Sequence, residues 1–288
     1  MKIRDIFQEN EVTLSFEIFP PKTDANFAAV EECAHKIAAL QPSFMSITYG
    51  AGGGTSANTA KLASKLQNEY DTNVLAHLTC VSSNRAFVRE RLSEYKTLGI
   101  ENIMALRGDL PKDGVLSQDY SHAIDLIRDI KNIYPEACIG GACYPEGHVE
   151  CERQSVDILH LKEKVDCGLD FLTTQMFFDN NILYNFLYRI REQGVTVPVV
   201  AGIMPITNKK QVARSVALSG ATIPQRFRTM VDRFGDDPEK MAQAGVIYAT
   251  EQIIDLISNG VTHIHVYSMN KPEIAAGIQA SLSHIIDK

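Results

Sequence analysis

Side chains able to donate protons or bind anions follow or interrupt several short apolar runs of this sequence. The first is Glu17, inside the stretch 15–19, between a phenylalanine and an isoleucine. Burial there would raise the pKa of its carboxyl and keep a proton available near neutral pH, as a general acid requires. The alternative is a strand glutamate on an outer face, paired with a helix lysine or arginine. Its place at the end of the first apolar run favours the proton donor.

A second candidate is the charged tripeptide Arg107, Gly108 and Asp109, which follows the apolar run 103–106. The glycine would let the backbone approach a flat or anionic ligand closely. A solvated ion pair in a loop explains the same residues equally well.

A third candidate begins with Tyr144 and His148, at the end of another apolar run. Downstream, Asp157 and Lys164 fall at helical spacing on one face. A face with an acid and a base could hold a polar cofactor, although a solvated helix surface is the commoner cause of this pattern.

Two other patterns do not support a site. The glycine-rich stretch 50–54 lacks the spacing that places a lysine on nucleotide phosphates, so we reject a P-loop. His263 and His265 could share a strand face, as in a metal pair. They open their strand at the end away from a barrel mouth and have no supporting carboxylates, which favours structural histidines.

Apolar runs that alternate with amphipathic stretches are typical of βα units around a parallel sheet. Eight strands are predicted, at residues 13–19, 44–49, 74–79, 102–106, 137–144, 171–175, 197–203 and 263–267. An open doubly wound sheet is the rival topology, because periodicity does not reveal closure. Eight units with no G-x-G-x-x-G motif after the first strand favour an α/β fold of the (β/α)₈ TIM barrel type.

The stretch 223–238 is rich in proline, glycine and aspartate, and it predicts a small helical insertion before the last strand. Such barrels commonly use about 250 residues as one domain. We therefore expect residues 1–288 to form a single catalytic barrel domain.

Composition narrows the class of protein. Hydrophobic residues make up 45% and charged residues 22%, enough for a large core without metals or disulfides. The net charge of −7, without a cluster of lysine or arginine, argues against nucleic-acid or membrane partners and favours small molecules. Six cysteines without a C-x-x-C pair, and an N-terminus that carries charges instead of an apolar signal, predict a reducing cytoplasmic location.

Taken together, the motifs at the strand ends resemble those of the methylenetetrahydrofolate reductase family in order and spacing. They lie at 15–21, 46–51, 76–80, 105–109, 144–148, 174–179, 202–208 and 267–271. Each motif is modest alone, but jointly they cover nearly the whole chain and are highly specific.

The resemblance implies a flavoprotein barrel in which NADH or NADPH reduces FAD. The flavin then passes hydride to 5,10-methylenetetrahydrofolate, giving 5-methyltetrahydrofolate in ping-pong fashion. Glu17 matches the family's proton donor, and Asp109 matches a residue that tunes the flavin electrostatically. It also implies a homo-oligomer, a role in one-carbon metabolism and methionine biosynthesis, and no resident metal.

By the same resemblance, other residues would bind the ligands. The FAD contacts would be Thr48, Tyr49, Ala51, His77, Arg107, Gly108, Asp109, Tyr120, Tyr144, His148, Asp157 and Lys164, with Thr48 also near the alternating nicotinamide or folate. The substrate contacts would be Gln175, Gln211 and Lys271.

The sequence departs from the family at Ser215, where well-known bacterial members carry an aromatic residue that packs on the ligand; Glu163 and His160 also differ from expectation. The chain ends after the eighth helix, so we expect no inhibition by adenosylmethionine.

Two other functions must be distinguished from a reductase. A barrel lyase or metal hydrolase would need a strand lysine or a His/Asp cluster, and neither is present at the strand ends. A flavin-binding subunit that receives electrons from a partner protein stays open as an alternative.

Overall fold

The computed structural model describes residues 1–21, 23–49, 56–110 and 116–286. Its strands form one parallel sheet, and each overlaps a predicted strand with ends that agree to within two residues. They are β1 (Thr13–Ile18), β2 (Met45–Ile47), β3 (Val74–Thr79), β4 (Asn102–Leu106), β5 (Cys138–Cys143), β6 (Phe171–Thr174), β7 (Val199–Ile203) and β8 (His263–Val266).

The sheet closes on itself, so the prediction of a barrel is confirmed and the open doubly wound sheet is wrong. The strand order is β1 to β8 in sequence, and every neighbouring pair is parallel. Closure depends on the pairing of the first strand with the last, in which Thr13 is aligned with His263 and Phe16 with Val266. Because all carboxyl ends then meet at one rim, residues that follow different strands face a common mouth.

Helices surround the barrel and connect its strands. They are α1 (Ile3–Glu9), α2 (Phe27–Ala38), α3 (Ser56–Tyr70), α4 (Arg85–Thr97), α5 (Ala123–Ile133), α6 (Gln154–Asp166), α7 (Asn180–Glu192), α8 (Lys209–Ser219), α9 (Gln225–Phe234), α10 (Pro238–Ser258) and α11 (Pro272–Ser281). The β7–β8 connection holds α8, α9 and α10, and α9 lies inside the stretch predicted to be an insertion. Phe227 and Val231 of α9 pack against the chain that follows β6 and β7.

Helix α1 closes the amino-terminal end of the barrel. Its buried residues Ile3, Ile6 and Phe7 pack against a layer of side chains contributed by β3 to β7 and by Phe44, just before β2. The ring of Phe7 meets that of Phe171 edge to face, with centroids 5.5 Å apart. This helix was not predicted from the sequence, because charged residues at positions 2, 4 and 5 interrupt its apolar pattern.

A polar layer crosses the middle of the barrel. His265 Nδ1 lies 2.8 Å from Ser15 Oγ, and His265 Nε2 lies 3.0 Å from Ser46 Oγ. Ser15 donates its hydroxyl hydrogen to the Ile264 carbonyl, so Nδ1 carries the imidazole proton and Nε2 accepts from Ser46. Since β8 and β2 are not neighbours, these contacts pass through the interior, and His265 is a structural residue.

Candidate active site

Glu17 and His77 face each other at the mouth of the barrel. Glu17 is 8% exposed and His77 7% exposed, and the distance from Glu17 Oε2 to His77 Nε2 is 4.0 Å. The two residues belong to β1 and β3, with β2 between them, so the contact crosses the barrel interior. The hydroxyl of the fully buried Tyr95 donates to the His77 carbonyl and ties α4 to this part of β3.

Burial sets the protonation states of this pair. It raises the pKa of the Glu17 carboxyl to about 8 and lowers the pKa of the His77 imidazole to about 4. His77 Nε2 is buried and has no hydrogen-bond partner among the described residues. A protonated acid and an unsatisfied ring nitrogen therefore face the same mouth, where a ligand group could complete the hydrogen bonding.

An ion pair links the loops that follow β4 and β5. The Arg107 guanidinium donates to both carboxylate oxygens of Glu150, at 2.6 and 2.9 Å, and this pairing lowers the pKa of Glu150. Gly108 adopts φ +91°, and a Cβ there would lie 3.0 Å from Thr79 Cβ. Only glycine lets this backbone turn so close to the end of β3.

The candidates after β5 lie together. The rings of Tyr144 and His148 meet edge to face at 4.6 Å, and the His148 amide donates to the Asp157 carboxylate of α6 at 3.2 Å. Lys164, two turns further along α6, donates to the Ala142 carbonyl at 2.9 Å. Burial lowers the pKa of the Lys164 ammonium and, together with the charge of Arg107, that of His148.

The substrate candidates Gln211 and Lys271 meet at Thr207, which the sequence analysis did not single out as a site residue. Lys271 Nζ donates to Thr207 Oγ1 at 2.9 Å, and the Thr207 amide donates to Gln211 Oε1 at 2.9 Å. Gln175 follows β6, where its amide donates to the Cys143 carbonyl and its side chain accepts from Met176. The signal that could have identified Thr207 is its position in the segment between β7 and α8, inside the motif 202–208.

The remaining candidates differ in their environment. Thr48 follows β2, and its carbonyl accepts from Thr59; Tyr49 is buried. Asp109 is exposed on the β4 loop, within electrostatic reach of Arg107 and Tyr144.

One candidate with a described structure, Tyr120, is not joined to these groups. The hydroxyl of the buried Tyr120 donates to Asp129 of α5 at 2.7 Å. Ala51 lies outside the described residues.

Besides Thr207, two residues that hold the site together were not predicted from the sequence, because their partners are distant along the chain. Glu150 pairs with Arg107, and the hydroxyl of Tyr267 donates to the Thr174 carbonyl at 2.5 Å. Within the described residues, no group of three or more His, Cys, Asp or Glu side chains could hold a metal ion. Across the same ranges, no helix has the length and apolar character needed to cross a membrane.

Comparison with known proteins identifies the same family that the motifs resemble. A family model described as methylenetetrahydrofolate reductase matches residues 2–283. The 5,10-methylenetetrahydrofolate reductase of Escherichia coli is 32% identical over 270 residues, covering 94% of this chain and 90% of the relative. Methylenetetrahydrofolate reductase (NADH) 1 of Arabidopsis thaliana is 32% identical over 298 residues, covering 99% and 50%. The chain thus spans about half the length of its plant relatives.

Solved structures share the fold at low identity. A Clostridium thermocellum protein described as binding two copies of 5-methyl-5,6,7,8-tetrahydrofolic acid superposes with a TM-score of 0.67 at 16% identity, over 98% of each chain. A 2,3-dimethylmalate lyase superposes with a TM-score of 0.57 at 9% identity, over 98% of this chain and 85% of that one. Since these likenesses show only the fold, the assignment depends on the family match and the bacterial relatives. The chain belongs to the methylenetetrahydrofolate reductase family.

Proposed function

We propose that this chain reduces 5,10-methylenetetrahydrofolate to 5-methyltetrahydrofolate, with FAD as cofactor and NADH or NADPH as electron donor. The observation that carries the proposal is the buried carboxyl of Glu17 at the barrel mouth, with a pKa raised to about 8. A carboxylic acid that keeps its proton at neutral pH is the group needed to open the bridge of this substrate. Family membership supplies the substrate class.

The residues at the mouth fit a flavin dinucleotide. The unsatisfied Nε2 of His77 offers a hydrogen-bonding group inside the mouth. The planar guanidinium of Arg107 would bind the pyrophosphate of FAD by exchanging its partner Glu150 for phosphate oxygens, and we assign Lys164 of α6 to the same cofactor. The turn at Gly108 holds the β4 loop against the end of β3, and we assign it to the cofactor site by the family resemblance. We assign Thr48, Tyr49, Ala51, Tyr120, Tyr144, His148 and Asp157 to the same cofactor site, on the basis of the family resemblance.

Bound FAD would supply the hydride that the substrate accepts. Glu17 would donate its proton to the departing nitrogen of the five-membered bridge, so that an electrophilic iminium forms before reduction. His77, with its pKa lowered to about 4, stays neutral beside it and does not withdraw the proton from Glu17 by ion pairing. Asp109 places a negative charge near the mouth, where it would oppose the accumulation of negative charge on the bound ligands.

The substrate side of the mouth is assigned to Gln175, Gln211 and Lys271. The contacts of Lys271 and Gln211 with Thr207 hold a side chain from the loop after β8 and one from α8 in one place. The Clostridium thermocellum neighbour, described as binding 5-methyl-5,6,7,8-tetrahydrofolic acid, supports a folate as the ligand of such a barrel. If the nicotinamide and the folate use this region in turn, the kinetics are ping-pong.

Domain organisation and oligomeric state are part of the proposed function. Residues 1–288 act as one catalytic domain, in keeping with a family match over 2–283. The family resemblance further implies a homo-oligomer, which light scattering coupled to size-exclusion chromatography would test.

The deciding experiment is an anaerobic absorbance titration of the purified chain, reconstituted with FAD, from about 300 to 550 nm, the range of oxidised flavin absorption. NADH or NADPH should bleach the flavin, and 5,10-methylenetetrahydrofolate should restore its absorbance. Failure to bind FAD would refute the proposal. Bleaching by dithionite but by neither nucleotide would instead favour a subunit that receives electrons from a partner protein.

A further inference from the structure

The strand that carries Glu17 extends beyond its neighbour β8. In the β1–β8 ladder, the odd residues of β1 turn their backbone groups toward β8, as the bond from the Thr13 amide to the Thr262 carbonyl shows. The ladder register ends where Phe16 is aligned with Val266. The Glu17 carbonyl and both backbone groups of Phe19 therefore point toward β8 at a level where that strand has already ended.

Side chains from the loop after β8 take the place of the missing strand. Ser268 Oγ donates to the Glu17 carbonyl at 2.6 Å. Asn270 makes two hydrogen bonds to one residue: its Oδ1 accepts from the Phe19 amide at 2.7 Å, and its Nδ2 donates to the Phe19 carbonyl at 3.0 Å. The carboxamide of Asn270 thus reproduces the donor and acceptor that a strand residue would offer.

The loop adopts an unfavourable backbone conformation to place these groups. Met269 and Asn270 have φ of +56° and +55°, in the left-handed region that non-glycine residues rarely enter. Asparagine tolerates this region better than most residues, and it carries both hydrogen-bonding groups. Pro20 and Pro21 follow Phe19, so the next two residues offer no backbone N–H for an alternative anchor.

We propose that Asn270 is a positioning residue that holds the proton donor: by clamping the backbone at Phe19, it fixes the Glu17 carboxyl in the mouth beside His77. This inference rests on the proposed function in assigning the proton to Glu17. The next residue, Lys271, donates to Thr207 among the substrate candidates. One loop therefore connects the acid to the substrate side of the site.

The mechanism is geometric. With Ser268 and Asn270 in place, hydrogen bonds hold the backbone at Glu17 and again two residues later. Without the clamp, the peptide units after Glu17 could rotate and let water reach the carboxyl. A displacement of about 1 Å at a reacting group costs roughly 100-fold in rate.

The test compares two glycine substitutions. Asn270→Gly permits positive φ and removes the clamp. Gln41→Gly is the matched control, because Gln41 also has a positive φ, of 53°, and lies before β2 at the opposite end of the barrel. Ser268→Ala is a milder second variant, which removes one of the three side-chain bonds and keeps the informative comparison if Asn270→Gly does not fold.

The first readout requires neither cofactor nor substrate. Infrared difference titration against Glu17→Gln follows the protonated carboxyl in the chain alone. The titratable groups that face it are His77 from β3 and Tyr267, the residue after β8, with His265 one layer below. We expect the apparent pKa of Glu17 to fall by at least about one unit in Asn270→Gly, because water stabilises the charged form. It should stay unchanged in Gln41→Gly.

The second readout separates the half-reactions. Asn270→Gly should slow folate reduction roughly 100-fold, and Ser268→Ala about 10-fold, while flavin reduction changes less than about twofold. The inference would be overturned if the pKa of Glu17 were unchanged in both Asn270→Gly and Ser268→Ala. It would also be overturned if these variants lost folate reduction and flavin reduction equally. If the wild-type chain reduces no folate, the proposed function fails, but the infrared titration still decides whether Asn270 holds Glu17.

Discussion

Glu17 Oε2 lies 4.0 Å from His77 Nε2, and the two side chains form a neutral pair. The distance would suit an ion pair, but burial raises the pKa of Glu17 to about 8 and lowers that of His77 to about 4. Between these values neither group carries a charge. The separation is also too long for a hydrogen bond, so the proton of Glu17 is not committed to His77 and is available to a ligand.

Replacing Glu17 by glutamine should separate the two half-reactions. Glu17→Gln keeps the shape of the side chain and removes the acidic proton, so folate reduction should fall by about 10² to 10⁴, the usual contribution of a general acid. Reduction of the flavin by NADH or NADPH should persist. Stopped-flow absorbance measures each step, with Glu101→Gln, at the other end of the barrel, as control. Equal losses in both steps would contradict the assignment.

The rate of folate reduction should fall as the pH rises through about 8, the pKa of the Glu17 carboxyl. The protonated form is the active one, so the rate is highest below this pKa and decreases above it. About 91% of the carboxyl is protonated at pH 7 and about 9% at pH 9, which predicts a roughly tenfold decrease. Single-turnover reoxidation of reduced enzyme measures it, and a flat profile over this range would exclude Glu17 as the acid.

Two histidines of β8, the buried His265 and the half-buried His263, should make the protein less stable in acid. Burial lowers the pKa of His265 to about 3 and that of His263 to about 4, from the ordinary histidine value of 6.5. The unfolded chain therefore takes up protons below pH 6.5 that the folded chain refuses, and stability falls as the pH decreases from 6.5 toward 4.

Denaturant unfolding of His265→Asn tests this prediction. The variant should be less stable than wild type at pH 7, because it loses packing and hydrogen bonds. Its deficit should shrink by on the order of 2 kcal/mol between pH 6.5 and 4.5, since each unit of protonation linkage is worth about 1.4 kcal/mol. A constant deficit would show that His265 is already protonated in the folded state.

Gly245 should be intolerant of alanine because α10 packs on the backbone after β7. A Cβ at this position would lie 1.8 Å from the Ile206 carbonyl oxygen, next to Thr207. Gly245→Ala should reduce the free energy of unfolding by about 1 to 3 kcal/mol and displace the contacts of Lys271 and Gln211, raising KM for the folate more than that for the nucleotide.

Gly277→Ala in α11 is the control for that substitution. The nearest atom to its added Cβ is 3.8 Å away, so the change should be neutral or stabilise the helix by about 0.5 to 1 kcal/mol. Thermal denaturation and steady-state kinetics measure both variants. Equal behaviour of the two would show that the contact with Ile206 adapts easily.

The sequence predicts the strands well because both faces of each strand are buried, so apolar runs such as 74–79 and 102–106 match the observed strands residue for residue. The closure of the sheet into a barrel could not be predicted in this way. The alignment of Thr13 with His263 joins residues 250 positions apart, and local periodicity contains no information about it. Helix α1 was not predicted for a related reason. Its short apolar face is accounted for by packing on the amino-terminal end of the barrel, which forms only once the sheet has closed.

The candidate site divides in the same way. The burial of Glu17 followed from its apolar neighbours, and its position at a strand end indicated the mouth. The contacts with Glu150, Thr207 and Ser268 were not predictable, because each joins loops from different strands and has no local pattern. The roles of the individual residues remain predictions, which the substitutions above would test.

The closure of β1 on β8 has a consequence for the life of the chain on the ribosome. At about 5 to 20 residues per second, synthesis reaches β8 roughly 10 to 50 s after β1 has been made. During that interval β1 is an edge strand, and the carboxyl of Glu17 is not enclosed by the barrel. The pKa of this carboxyl therefore stays at its ordinary value while the chain is nascent. It rises, so that the carboxyl keeps its proton at neutral pH, only when the last strand completes the barrel.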